Sequence, residues 1–491
     1  MEKILELTTK DFMTGLAISS HYPASGIFID GAGINPYRDA LTGGANVGLL
    51  QTSEDGTDIS STVVVDGIIG GTYLGSSFKG YFIGDSGHFY DLNTSALTSA
   101  PTDLRSGTPI TNPADGMAIY QINGGTKYLY YAQRTQIGRW DLSGSHPTGW
   151  LDNYVGSGGS GFAVALQSTD IRPMHQFLGN LYYGNKDRIG ALYDDGTATI
   201  RHDDNLLDIP SDYTIVSIDD DGQYLIFAAT TNTISGNLNI LTSNKIFFWD
   251  TVSNSWNKEW TIPYAYIASI QTLGSFQVAI TSNGIYAFSF STPPTLLLPL
   301  SSNDTPARVG GVSPTDGLAT VKDEVLYWLN SNEQICAWGK PIPGLSNRFY
   351  KPFVTLGGTG SFISSPSKFF ILAASNNKLN SINTSSGGTS NTRTAETIYM
   401  PLGRRWNIEK IEVFLGEPMA STDSLDIEVK SDEDTAAVEY GTFDYTTDGA
   451  VRAKPLMGKN FHVENLKLRI NFDGGNPKVK KIIVWGTPLT V

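Results

Sequence analysis

The chain has 491 residues, with 34 Lys and Arg against 48 Asp and Glu and a formal net charge of −14. This balance argues against sequence-independent binding to DNA or RNA, which needs a cationic surface, and the single cysteine, Cys336, excludes an intramolecular disulfide. Fifty-two glycines with only 17% charged residues favour many tight turns between strands over long, salt-bridged helices.

The opening segment, "MEKILELTTKDFMTG", mixes acids and bases and has no apolar stretch of the kind a secretory signal carries. The longest aliphatic run in the chain, "TLLLPL" at 295–300, is far shorter than the ~20 residues a bilayer span requires. No membrane insertion is expected, and synthesis in a cytoplasm is. Residues 1–60 read as an extended segment with the first strands.

From residue 61 the chain becomes repetitive. "YFIGDSGHFYDL" at 81–92 is a short aromatic strand, a polar turn and a second aromatic strand. The same phrase returns in "YLYYAQRTQIGRWDLSG", "LYYGNKDRIGALYDDG", "LIFAATTNTISGNLNILTSNKIFFWD", "VAITSNGIYAFSFS", "LYWLNSNEQICAWGKP" and "FILAASNNKLNSINTSS". These copies begin at Tyr81, Tyr128, Leu181, Leu225, Val278, Leu326 and Phe370, at intervals of 44 to 53 residues. That period suits a four-stranded propeller blade and is too long for helical solenoid units. A lone four-stranded sheet leaves both faces wet, whereas radial stacking buries them. The expected fold is all-β: a β-propeller over 61–382 with about seven blades, six to eight being the range, followed by a C-terminal β-sandwich. Tyr128, Tyr130, Tyr182, Phe227, Trp328 and Leu372 are expected between blades. "RWD" at 139–141 and "FWD" at 248–250 read as strand ends, because the other copies lack the Trp-Asp pair. The stretch before Tyr81 is expected either to complete the first blade or to close the ring with the last.

"NTSSGGTSNTRTA" at 383–395 has the composition of a connector. Beyond it, residues 396–491 carry 15 acidic and 12 basic side chains, about twice the charge density of what precedes. Strict alternation puts Leu425, Ile427 and Val429 on one face of "SLDIEVK", and Leu466, Leu468, Ile470 and Phe472 on one face of "NLKLRINFD". Two such sheets packed together make a sandwich with charged outer faces, expected to fold on its own.

The chemistry-bearing patterns fail on context or spacing. "GSGGSG" at 156–161 matches G-x-G-x-x-G, but no helical pattern follows, and it reads as a loop. The six histidines, at 21, 88, 146, 175, 202 and 462, show no ligand spacing.

 They are His21, His88, His146, His175, His202 and His462, spread over the whole chain. "SIDDDGQYL" at 217–225 lacks the alternation of a calcium loop and reads as an acidic β-turn. Neither it nor "SEDGTDIS" at 53–60 completes the aspartate box of sialidase propellers. No paired carboxylates stand out for glycoside hydrolysis. No catalytic residue, cofactor or metal ligand is therefore assigned, and no enzymatic activity is expected.

The blade phrases, the C-terminal alternating strands and the Ser/Thr/Gly/Asn-rich texture resemble the propeller-bearing tail proteins of tailed bacteriophages, such as the nozzle or hub subunits of short-tailed phages. The resemblance implies a virion structural protein that acts by assembly in the tail, made in the host cytoplasm. Its implied partners are other tail or virion proteins and further copies of itself in a ring. A glycan-binding or glycoside-hydrolysing propeller and a cellular interaction scaffold are the alternatives. Contacts are expected in three loops rich in Arg and aromatic residues, the types that concentrate interface energy. These are "NPYRD" with Tyr37 and Arg38, "GLSNRFYKPF" with Arg348, Phe349 and Tyr350, and "PLGRRWN" with Arg404, Arg405 and Trp406.

Overall fold

The computed structural model describes residues 1–8, 28–32, 57–58, 68–74, 79–93 and 101–489, the last span without 106, 123–124, 145, 198, 232–242, 264–265, 302–303, 307–318, 323, 331–333, 340–347, 356–359, 365–369, 376–377, 384–392, 398, 432–435, 475–476 and 478. Strands make up nearly all of the regular structure, and the one α-helix among the described residues is the single turn Tyr445–Asp448.

Six blades are built from consecutive strands. The first comprises Ile68–Leu74, Lys79–Gly84, Phe89–Asn93 and Thr102–Asp103. The second adds a fifth, parallel strand, Phe162–Ala163, outside Trp150–Gly156. The third to sixth begin with Met174–Phe177, Tyr213–Asp220, Ile267–Leu273 and Ala319–Lys322. A further sheet, Gly360–Ser364, Phe370–Ser375 and Lys378–Asn383, takes its outer strand, Thr57–Asp58, from near the start of the chain. The first strands of successive sheets touch one another in turn, and Gly360–Ser364 touches Ile68–Leu74, so the ring closes. The expectation of about seven blades thus becomes six blades of consecutive strands and one composite sheet. Both uses foreseen for the stretch before Tyr81 occur: Ile68–Leu74 completes the first blade, and Thr57–Asp58 closes the ring.

The second strand of each blade explains why the repeat reads as a continuous apolar run. It is buried on both faces because each face meets a different neighbouring blade. In Tyr128–Gln133, Leu129 and Tyr131 join the core shared with the first blade, whereas Tyr130 joins the core shared with the third. Leu181 and Tyr183 point back to that same core, and Tyr182 points on to the fourth blade. The alternation continues through Phe227 and Ile226, then Ala279 and Val278. Of the side chains expected between blades, Tyr130, Tyr182, Phe227 and Trp328 are buried and Tyr128 is half-buried; Leu372 has its backbone in the composite sheet, its side chain outside the described ones. Two tyrosines lie flat across their own sheets because glycine stands opposite. Tyr131 pairs with Gly138 and Tyr183 with Gly190, and a Cβ at either glycine would lie 2.2 Å or 2.4 Å from the ring.

Arg172, on the connection between the second and third blades, is fully buried. Its guanidinium donates to the carbonyls of Gln167 (2.7 Å), Arg134 (3.0 Å) and Gly184 (3.3 Å) and to Asn185 Oδ1 (3.0 Å). Burial lowers its pKa to about 10, so it remains charged at neutral pH. One cation therefore satisfies buried acceptors from both blades.

The C-terminal unit departs from a sandwich. It is one eight-stranded curled sheet, a half-barrel, ordered Glu2–Thr8, Val479–Pro488, Met400–Leu415, Ala453–Gly474, Arg393–Thr397 and Phe28–Ala32, with Ser424–Ser431 and Val438–Asp444 branching from it. The physical reason is the 22-residue strand Ala453–Gly474. Its first half pairs with Met400–Leu415 and its second half with Ser424–Ser431, so the two groups of strands share a backbone and cannot separate into two sheets. Register breaks at Pro401/Trp406 and Ile408/Lys410 supply the curl. The alternating face is as expected: Leu425, Ile427, Val429, Leu466, Leu468, Ile470 and Phe472 are all at most 1% exposed and share one core. That core also contains Val325, Tyr327 and Leu329 of the sixth blade. The outward side chains pair in charge, as in Arg469 with Glu428 (3.5 Å) and Lys410 with Glu412 (2.9 Å).

Residues at both ends of the chain therefore enter the C-terminal sheet, and part of the expected connector does too. Arg393–Thr397 is a strand paired with Ala453–Gly474 and with Phe28–Ala32. Its short polar sequence, RTAET, carries no apolar period by which it could be read as a strand.

Candidate functional site

The inner strands of the third, fourth and fifth blades bring together the one group of metal-ligating side chains found among the described residues. His175 lies on Met174–Phe177, and Asp219 and Asp220 end Tyr213–Asp220. Each of these strands runs directly into a hairpin, so the group sits at the rim of the ring where first strands turn into second strands. His175 Nε2 is 2.6 Å from Asp220 Oδ2. Thr272, on the fifth blade's inner strand, donates its hydroxyl to Asp219 Oδ2 at 2.9 Å. Gln277 Nε2 donates to the Asp220 carbonyl at 3.2 Å. Burial raises the pKa of the Asp219 carboxyl, and the neighbouring His175 offsets part of that rise. Both partners of the His175–Asp220 pair are partly open to solvent.

Chemically, this arrangement offers one imidazole nitrogen and two carboxylates. The Thr272 hydroxyl donates to the Asp219 carboxylate and not to the histidine, so the hydroxyl–imidazole pairing of a Ser/Thr–His nucleophile is not what these residues form. The sequence reading missed the group because its members are 44 residues apart, at equivalent places in consecutive blades. The signal that could have found it is the repeat period itself. Within "SIDDDGQYL", Asp221 does make the acidic turn, accepting the backbone N–H groups of Gln223 and Tyr224, while Asp219 and Asp220 belong to the strand before it.

The remaining motifs fall into structural places. "GSGGSG" carries the chain from Trp150–Gly156 to the parallel edge strand Phe162–Ala163, with no helix after it. "RWD" and "FWD" end strands at Trp140 and Trp249. The Asp141 and Asp250 carboxylates then accept N–H bonds from the turns that follow.

Of the expected contact residues, Tyr37 and Arg38 lie outside the described residues. Arg348, Phe349 and Tyr350 are in the outer strand of the sixth blade, Arg348–Thr355, rather than a loop, and their backbones pair with Gly339, Trp338 and Ala337. This strand also touches Phe28–Ala32 of the C-terminal sheet. Arg404 and Arg405 are exposed in the register break of Met400–Leu415. Arg404 stacks over the Trp406 ring at 4.4 Å and reaches Glu2 at 3.5 Å. Trp406 turns inward and is only 6% exposed, so it serves the chain's own core.

No helix among the described residues is long and apolar enough to cross a membrane. No family model matches the chain, and no curated protein matches it. Among solved structures it is similar to Chaetomium thermophilum Raptor, at 11% identity and a TM-score of 0.44 over 69% of this chain. The match spans 29% of the Raptor chain, under a third of its length. It is also similar to the β-propeller domain of Cps50 (Swd1) from Myceliophteria thermophila, at 11% identity and a TM-score of 0.43, covering 66% of this chain and 99% of that one.

Proposed function

We propose that the protein acts by assembly, as a structural subunit of the tail of a tailed bacteriophage, in a ring with further copies of itself and with other virion proteins. The observation that carries this reading is the weaving of propeller and C-terminal sheet into one body. Glu2–Thr8 and Phe28–Ala32 pair with C-terminal strands, and the sheet's core takes in side chains of the sixth blade. Such a body offers a propeller rim and a charged sheet face to different neighbours at once, and interfaces of on the order of 1,000 Å² or more recur by symmetry in a ring. The net charge of −14 suits a conduit that must not hold its DNA cargo. Arg404 and Arg405 are the described contact candidates that stand exposed. Electron microscopy and light scattering on the concentrated full chain test the reading. Closed rings, or density for this chain in a tail, are expected; a monomer that cleaves a glycan and joins no ring would overturn it.

A further inference from the structure

We propose that His175, Asp219 and Asp220 form a binding site for a divalent transition ion of the zinc class. Their ligating atoms all lie within 4.8 Å of one another. Donors around a tetrahedral zinc ion bound at about 2.1 Å are separated by about 3.4 Å, so side-chain movements of about an ångström bring all three into contact with one ion. The imidazole sets the class of ion. Calcium and magnesium take oxygen donors, whereas one histidine nitrogen with two carboxylates suits zinc and its neighbours.

Three further features support a site over a chance meeting of charges. The donors stand on the inner strands of two adjacent blades, whose buried second strands hold them in place, and not on a free loop. The Thr272 hydroxyl, from a third blade, orients Asp219 in the way second-layer groups orient metal-bound carboxylates. Asp219 and Asp220 are consecutive, and consecutive strand residues ordinarily point to opposite faces, yet both converge on His175. On loading, the 2.6 Å contact between His175 Nε2 and Asp220 opens. The imidazole lone pair at Nε2 goes to the ion, a proton there is released to solvent while Nδ1 carries the neutral ring's one N–H, and two carboxylates balance the two positive charges. Positions not taken by the three side chains are left to water.

The alternative is a plain His–Asp ion pair with no affinity for metal. Metal-stripped full-length protein titrated with zinc chloride, and separately with cobalt chloride read by visible absorption, distinguishes the two. The proposal expects one ion per chain, a melting temperature that rises with zinc, and a cobalt spectrum that zinc abolishes. His175→Gln and Asp219→Asn should each weaken zinc binding at least tenfold while keeping the wild-type circular dichroism. Absence of stoichiometric binding by the wild-type chain overturns the proposal without any variant. Undiminished binding in whichever of the two variants folds overturns it as well. Neither readout depends on ring assembly, so this test and the test of the proposed function fail separately.

Discussion

In the ring, each consecutive-strand blade completes its pairing within some fifty residues and shares its core with the blades on either side, the sixth blade also reaching the core of the C-terminal sheet. In the C-terminal sheet, Glu2–Thr8 pairs with Val479–Pro488 and Phe28–Ala32 with Arg393–Thr397, across almost the whole chain. The two regions bury the same kinds of side chain, but one closes short loops and the other long ones. Loop-closure entropy grows slowly with length, so the long pairings cost little more stability than the short ones; their cost falls on the rate of folding.

The sharpest way to break this contrast is to remove residues 396–491. That deletion strips Glu2–Thr8 and Phe28–Ala32 of their partners and uncovers Val325, Tyr327 and Leu329. The remaining chain is expected to aggregate or to lose its cooperative melt, checked by light scattering and calorimetry. A soluble remainder melting like the full chain would mean that the ring is independent after all. Next in size is Arg172→Met in the ring. It orphans buried carbonyls of two blades, at about 3–5 kcal/mol by analogy with breaking a buried charge arrangement, read from denaturant unfolding. Its counterpart in the sheet, Ile427→Ala, removes a fully buried side chain and should cost about 2–4 kcal/mol in the same assay.

These two regions also differ in how readable they are. The period of the blades is visible because the second strands, such as Tyr128–Gln133, must be apolar on both faces, and the burial found there follows directly. In the C-terminal unit the alternation of Ser424–Ser431 and of the second half of Ala453–Gly474 is equally plain. The first half, AKPLMGKNFHVE, alternates poorly, so only the second half of the long strand reads as a strand and a curled sheet reads as a sandwich. The polar strand Arg393–Thr397 has no pattern to betray it, because neighbouring strands pair its backbone while its own residues add little apolar burial. The His175 group was illegible for a different reason. A site assembled from equivalent positions in successive blades leaves no local spacing, and only a residue-by-residue alignment of the copies would put His175 beside Asp219 and Asp220.

Two smaller effects sharpen the comparison. In the ring, Arg105 makes a forked pair with Asp152 at 2.6 and 2.8 Å, and the Tyr131 hydroxyl adds a bond at 2.6 Å. Burial alone would raise the Asp152 pKa, but these hydrogen bonds and the Arg105 charge outweigh it and hold the carboxyl below its ordinary value. A depressed carboxyl contributes stability that is fully present above its unfolded pKa, near 3.9, and is lost as pH falls through the lower folded value. Asp152→Asn should therefore lower the melting temperature at neutral pH and narrow the gap to wild type in acid, as a pH series of melts would show. In the sheet, Arg404→Ala removes an exposed pair with Glu2 and should change stability by no more than about 0.5 kcal/mol. A larger loss would mean that the charge pair, and not the backbone ladder, holds the Glu2–Thr8 strand.

The composite sheet makes the ring dependent on the order of synthesis. Thr57–Asp58 leaves the ribosome about 320 residues before its partner Lys378–Asn383, a wait on the order of tens of seconds at the usual speed of translation. Through that interval the six consecutive blades can form one after another while the circle stays open and the early segment has no strand to join. Until that last strand emerges, the open sheet edge is a template on which another chain could pair.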